Sequence, residues 1–500
     1  MHSLRLTQGS SRARQFTLLA AFLGWLFDGF EMGLFPLIGK AALSDLLGSG
    51  ANPGDDAKWF GAIIAVFLVG AASGGVVFGW LGDKIGRVRA MALSILTYAL
   101  FTGLCGFVGE AWQLAGLRFI ASLGMGGEWS LGVALVNEVW PGKSRALVAG
   151  LIGAAANIGY LLVAVLSMFL LSFIGGVETV MLSLGIPKAG VDHLLENSAW
   201  RFLMISGALP ALLIFMIRAF VPESAQWEEE NAKGSTSHWN RSDLLGVLGG
   251  AAVSLVIVWA WSPAGPHPAL ATLITLFGLW CAAWGFLHPV KAYLARARSS
   301  GSLRNSESEI VRLMLLGAGL GAVALLGTWG STQWAPRWAE SLDPDKTHHA
   351  KEWTLIWISL GAITGTFLAA LAAGKFGRKI TYATLCGGSL ATALFFYWTN
   401  HSVGPWFLGT AFLAGIWTAS FYGFFPLYYP ELFPTAVRAT GQGFAFNFGR
   451  ILAAVGSLQT GTLTTLLGFP AAGSVIVSVY VLGIVLIQFA PETKDTGLPD

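Results

Sequence analysis

GDKIGR at residues 82–87 returns as AGKFGR at residues 373–378, and EVWPGKSR at 138–145 returns as ELFPTAVR at 431–438. The spacing between copies is nearly the same for both motifs, so the chain repeats a large unit rather than a single loop. Apolar runs of about 20 residues, the length that crosses a bilayer as a helix, lie on either side of every copy.

Counting those runs outward from the motifs gives six near 16–40, 58–82, 89–109, 112–138, 143–173 and 199–221, and six more near 311–335, 353–374, 380–400, 404–430, 437–466 and 468–490. Two further runs, near 242–262 and 267–290, sit between the groups and are separated by the turn SPAGPHP. The expected architecture is an all-α integral membrane protein of about fourteen spans. Its units are a six-helix half over 1–221, a linker with two extra transmembrane helices over 222–310, and a second six-helix half over 311–500.

Composition agrees: 54% of the 500 residues are hydrophobic and 11% charged, against about 25% charged in soluble domains. An even number of inserted helices leaves both halves in one orientation, which the positive-inside rule tests. With the N-terminus inside, about 21 of the 30 Lys and Arg fall on the cytoplasmic side; Lys40, Lys58, Lys188, Arg337, Lys346 and Lys351 fall outside. The first apolar run is too long for a signal-peptide core and reads as a retained helix.

Several classes are excluded. A net charge of +3 with scattered basic residues does not suit nucleic acid. Cys105, Cys281 and Cys386 are odd in number and lie inside spans, which argues against a disulfide framework, and His267, His348 and His349 have no zinc-ligand spacing. No catalytic constellation and no phosphate-cradling loop is present, so no enzyme, metal or cofactor is expected and any work must draw on gradients.

The loop GWLGDKIGR (79–87) resembles the signature loop of the major facilitator superfamily. RFIASLGMGGE (118–128), the repeated E-x-x-P-x-x-x-R, VPESAQW (221–227) and APETKD (490–495) resemble its metabolite and sugar symporter branches. FLGWLFDGFE (22–31), GMGGEW (124–129) and the two inserted helices together resemble the bacterial sialic acid/proton symporters, whereas YYPELFPTAVRATGQGFAFNFGR (428–450) looks more like organic-acid and sugar symporters. The resemblance implies a multi-pass transporter of the cell inner membrane with both termini cytoplasmic. It would be monomeric and import a small organic anion, such as sialic acid or a related sugar acid or organic acid, with protons by alternating access. A neutral-sugar symporter and a transport-silent nutrient receptor are the alternatives.

Ionisable residues inside spans persist when they face a cavity or a partner, since each costs on the order of 3 kcal/mol at a helix centre. Asp28 and Glu31 share a face of the first helix. Either is the expected proton carrier, with Arg118 as the competing cation and Glu128 as a further coupling candidate or a packing residue. Arg450 falls near the middle of span eleven, where its partner is either Asp28 or Glu31 across the halves or, the favoured reading, a substrate carboxylate, with Asn447 one turn earlier as a hydrogen-bonding candidate. Trp329 and Trp334 are candidates for the outer gate or for stacking on substrate, and Trp25, Tyr160, Trp417 and Tyr422 for cavity walls. Trp338 reads as an interfacial anchor. A cytoplasmic latch is expected from Gly82, Asp83, Gly86, Arg87, Arg145, Gly377, Arg378 and Arg438, asymmetric because Gly374 stands where the first copy has Asp83. The inserted helices are expected at the lipid-facing periphery.

Overall fold

The computed structural model describes residues 11–48, 52, 55–140, 144–262, 265–299, 306–343 and 349–499. Lys346, His348 and residues 141–143 of the EVWPGKSR motif lie outside the described residues. Among the described residues the chain is helical, with no strand.

The first group comprises α1 (Ser11–Leu47), α2 (Asp55–Ile85), α3 (Arg87–Leu104), α4 (Ala111–Val139), α5 (Arg145–Met168), α6 (Leu170–Ser183), α7 (Lys188–Ser206) and α8 (Leu213–Phe220). A short helix α9 (Ala225–Ala232) leads to the inserted pair α10 (Leu244–Ala260) and α11 (Pro268–Ser299). The second group comprises α12 (Glu307–Trp329), α13 (Ala335–Leu342), α14 (Ala350–Phe376), α15 (Arg378–Thr399), α16 (Pro405–Thr418), α17 (Phe421–Tyr428), α18 (Arg438–Asn447), α19 (Gly449–Val477) and α20 (Val479–Leu486).

Thirteen helices among the described residues are long and apolar enough to cross a membrane, one fewer than the fourteen expected. The missing one is span eleven, made by α18 and the part of α19 before the break at Gly468 (φ 77°). Its first ten residues, Arg438–Asn447, include Arg, Thr, Gln and Asn, and all ten are buried. The segment is too polar to look like a span because protein, not lipid, surrounds it.

The expected loop between spans five and six is also helical: α6 and the first half of α7 continue beyond α5. A run of left-handed residues, Asn197, Ser198 and Ala199, breaks α7. Asp45 at the end of α1 fixes that corner, accepting from Asn197 Nδ2 (2.9 Å), Trp200 Nε1 (3.0 Å) and Arg201 (3.0 Å).

Lipid supplies no hydrophobic drive for helix association, so close approach through small residues carries the packing. α1 meets α5 where a methyl on Gly29 would overlap the Ala156 backbone, and α2 meets α4 where one on Gly126 would overlap Ala71. Between the groups, α5 packs on α14 and α17, and α2 on α18 and α19. The inserted pair departs from the expected periphery on one side. α11 faces outward with Trp280 and Trp284 exposed, but α10 packs against both α2 and α19, with Val258 buried among Ala65, Leu68, Val69 and Ala454.

Candidate functional site

A narrow cavity of about 40 Å³ lies between the groups, walled by Trp25 and Tyr160 from one side and by Trp329, Tyr422 and Arg450 from the other. Asn157, Thr328, Thr332, Gln333, Ser359 and Thr418 supply its polar atoms. A volume of that size holds about three waters, far below the several hundred Å³ of a metabolite site. Ser167 at the end of α5 donates to Glu352 in the first turn of α14 (2.9 Å), which ties the groups together at one end, and the latch described below ties them at the other.

Arg450 is buried, and among the described residues no carboxylate lies within ion-pair distance of it and no side chain accepts a hydrogen bond from it. Its guanidinium lies 5.7 Å from the Phe446 ring centroid. Tyr422, Asp28 and Tyr160 are the groups within its electrostatic reach. A buried unpaired guanidinium is costly, and the five donors of its planar fork suit a carboxylate.

Asp28 and Glu31, adjacent on α1, have different partners. Glu31 is ion-paired with Arg118, whose guanidinium sits 5.0 Å and 4.5 Å from the Phe35 and Phe67 ring centroids. Asp28 turns instead toward Glu128 of α4 and lies within electrostatic reach of Arg450. No protein donor reaches any of the four oxygens of Asp28 and Glu128 by ordinary geometry, and both side chains are buried. Two carboxylates so placed repel, and one proton between them turns the repulsion into a hydrogen bond. Gly24 makes the arrangement possible, since a methyl there would overlap the Glu128 carboxylate. Tyr98, whose buried hydroxyl has no partner, faces both acids from α3.

Between cavity and latch lies an aromatic floor. Trp129 of α4 stacks on Phe446 of α18 at 3.8 Å and 14°. Trp25 meets both rings at 6.4 Å, and Tyr429 meets Trp129 edge-on at 6.1 Å.

The latch joins the groups at the end where the repeated motifs lie. Asp83 accepts from Arg87 (2.7 Å) within its own loop and, across the interface, from the backbone N–H of Ala439 (3.1 Å) and Thr440 (2.8 Å) and the Thr440 hydroxyl (2.6 Å). It thereby caps the N-terminus of α18. Arg87 also donates to the Thr435 carbonyl (2.8 Å), and Glu138 binds both Arg87 (3.2 Å) and Arg438 (2.8 Å).

In the second copy Arg378 donates twice to Glu431 (3.0 and 2.7 Å), and Arg145 reaches the same carboxylate from the first group (3.6 Å). Gly374, the counterpart of Asp83 in this copy, offers no carboxylate and approaches Ala146. Gly86 (φ 109°) and Gly377 (φ 98°) occupy equivalent turns whose positive φ favours glycine.

Each of these turns feeds a helix whose first amides are capped by a distant glutamate that sequence reasoning did not select. Glu223 accepts from the N–H of Arg87 (2.9 Å) and Val88 (3.2 Å), and Glu492 from those of Arg378 (2.9 Å) and Lys379 (3.1 Å). Burial raises Glu223 above its ordinary range against the pull of those amides. Burial pushes Glu492 the same way, but the amides of Arg378, Lys379 and Lys494 outweigh it and hold the carboxyl below its ordinary range.

Not every expected residue belongs to the cavity. Asn447 is buried away from it, donating to the carbonyls of Gly126 (3.1 Å) and Gly443 (3.0 Å) and so tying α18 to α4. Trp334 pairs with Arg337 (5.3 Å), and Trp417 packs against Gly388. Trp338, read as an anchor, is buried among Phe396, Tyr397, Phe407 and Phe469, because α13 folds it back into the second group. No His/Cys/Asp/Glu group among the described residues could hold a metal.

The chain matches the sugar (and other) transporter family over residues 16–243 and 326–495, a match that skips α10 and α11. It is 26% identical to the cis,cis-muconate transport protein of Acinetobacter baylyi, covering 97% of this chain and 96% of that one. It is 24% identical to the sialic acid transporter NanX of Escherichia coli, covering 90% and 86%. Among solved structures it is similar to the proton:xylose symporter XylE of E. coli, with a TM-score of 0.69, 18% identity and 98% coverage of each chain, which shows the major facilitator fold.

Proposed function

We propose that this chain, which belongs to the sugar (and other) transporter family and is a multi-pass membrane transporter of metabolites, imports a small organic anion together with a proton. The observation that carries the reading is Arg450: a buried cation with no protein acceptor, facing the cavity between the two groups of helices. A carboxylate on the cargo supplies the missing partner, held by the guanidinium fork. The cargoes named for the two relatives, muconate and sialic acid, are both carboxylic acids; sialic acid, another sugar acid or an organic acid fits this site.

Coupling follows from the Asp28–Glu128 pair. With one shared proton the pair carries a single negative charge within reach of Arg450. An arriving anion competes with Asp28 for that cation, so substrate and proton favour each other's binding. Glu31–Arg118 is a second charge pair on the same two helices, and a proton on Glu31 would free Arg118. Tyr160, Tyr422 and Trp329 wall the cavity beside Arg450.

Transport then requires residues 1–221 and 311–500 to rock as two bodies, with 222–310 riding between them. In the conformation described, the latch of Asp83, Arg87, Glu138 and Arg438 is closed. The expected setting is the cell inner membrane, with the latch and both termini cytoplasmic and the protein monomeric. A neutral-sugar reading leaves Arg450 to be balanced by Asp28, which already faces Glu128.

The test is uptake of labelled sialic acid and a panel of organic acids and neutral sugars into proteoliposomes, with and without an inward proton gradient. Gradient-driven uptake of an acid, lost in Arg450→Ala, supports the reading. Uptake of a neutral sugar that survives Arg450→Ala contradicts it.

A further inference from the structure

A second cavity lies apart from the one between the groups. A groove of about 610 Å³ runs between α3, α8 and the segment after α8. Its length is apolar, with Leu93, Leu96 and Ile214 along the wall. Leu93 and Leu96 are 44% and 43% exposed, and the neighbouring Phe215 is 75% exposed, so the groove opens on the face that lipid covers.

At the latch end the character changes. Arg89 from the first turn of α3 and Arg218 from the last turn of α8 line the same groove. Both side chains are exposed, and among the described residues neither has an ion-pair or hydrogen-bond partner. Two acids share the wall, Glu223 and Glu228. Glu223 is committed to the amides of Arg87 and Val88, and Glu228 has interactions of its own. Two helices thus each contribute one cation to the latch end of the same groove, beside an apolar slot.

We propose that this groove binds one anionic phospholipid, its phosphodiester held by Arg89 and Arg218 and one acyl chain lying along Leu93, Leu96 and Ile214. A membrane lipid fits better than a free anion because the polar end accounts for only a small part of the groove; the rest offers nothing to a soluble phosphate and suits a hydrocarbon chain. The lipid would lie beside Glu223 and Trp227, whose indole donates to the Asp83 carbonyl (2.9 Å), and so against the loop that carries Asp83 and Arg87.

Native mass spectrometry of the purified full chain, titrated with phosphatidylglycerol or phosphatidylcholine of the same acyl chains, tests the proposal. The expected result is one phosphatidylglycerol retained in preference to phosphatidylcholine, and retention about tenfold weaker in Arg89→Ala/Arg218→Ala. Leu93→Trp, which fills the slot and leaves both arginines in place, should weaken it as well, and Arg298→Ala at the distant end of α11 should not. Equal retention of the two lipids overturns the proposal. So does undiminished retention in folded double-alanine and Leu93→Trp proteins, or displacement by inorganic phosphate with Leu93→Trp without effect, which would mark a site for free anions.

Discussion

Asp83 of α2 and Thr440 of α18 come from opposite groups of helices, and the Asp83 carboxylate accepts both the backbone N–H (2.8 Å) and the hydroxyl (2.6 Å) of Thr440. One carboxylate therefore does two things: it orients Arg87 in its own loop and caps a helix across the interface. Breaking the interface uncovers the first amides of α18 and the Asp83 charge together, which makes the latch a two-state element.

Asp83→Ala removes that cap. Loss of an N-cap costs about 1–2 kcal/mol, a five- to thirtyfold shift toward the open latch. Spin labels at exposed positions on the latch ends of the two groups should show the longer-distance population growing in electron-resonance distance measurements, with cavity-residue variants leaving it unchanged.

Glu138 neutralises Arg87 and Arg438 at once, and all three side chains are buried. Glu138→Ala leaves two buried guanidinium groups short of an anion, and breaking a buried pair costs about 3–5 kcal/mol. Its thermal midpoint in detergent should fall well below that of Lys233→Ala, which removes exposed ion pairs to Glu229 and Glu230 worth roughly 0–1 kcal/mol.

The two glutamate caps should answer pH with opposite signs. Glu492 is held below its ordinary value of 4.5, so its contribution is present above that pH and is lost as pH falls through the lowered value. Glu223 is raised, so the folded protein favours its protonated form and the deficit it carries at neutral pH disappears on acidification. Thermal midpoints should show Glu492→Gln less stable than the parent at pH 7, the gap closing below about 4.5. Glu223→Gln should be as stable as the parent or more so at pH 7, its advantage shrinking toward acid.

Gly24→Ala places a methyl where the Glu128 carboxylate lies. The obstacle is the end of a side chain rather than backbone, so the fold should survive while Glu128 is pushed off Asp28. The expected outcome is near-parental expression and thermal midpoint with gradient-driven uptake reduced at least tenfold. Gly29→Ala, which meets the Ala156 backbone, should lower stability itself.

Much of this was legible in the sequence. Repeated motifs and apolar length placed most of the spans, and Arg450, deep in a helix, read as a cation in need of an anion, which a substrate carboxylate or Asp28 or Glu31 across the halves could supply. Arg118 was expected opposite Asp28 or Glu31, and the sequence did not say which of the two it meets. What sequence could not supply was helix rotation. Asp28 and Glu31 share a face of α1, yet Gly24 and Gly29 set the α1 contacts so that one acid meets Glu128 and the other Arg118. The same unknown misplaced Asn447, one turn from Arg450 but turned toward α4.

Glu223 and Glu492 were hidden for another reason. Each stands in a landmark motif, VPES and APET, but its work is done on amides more than a hundred residues away in sequence. Trp338 was read as an anchor because tryptophan at the end of a span ordinarily sits at the membrane interface, whereas α13 turns it inward.

The most direct test of the central claim separates carrying the anion from coupling it to the proton. With a substrate identified by the panel, Asp28→Asn and Glu128→Gln proteoliposomes should exchange internal for external substrate at rates near the parent's yet fail to accumulate it against a gradient, while Arg450→Ala loses both activities. Gradient-driven accumulation that persists at the parent's level in Asp28→Asn and Glu128→Gln would contradict the account.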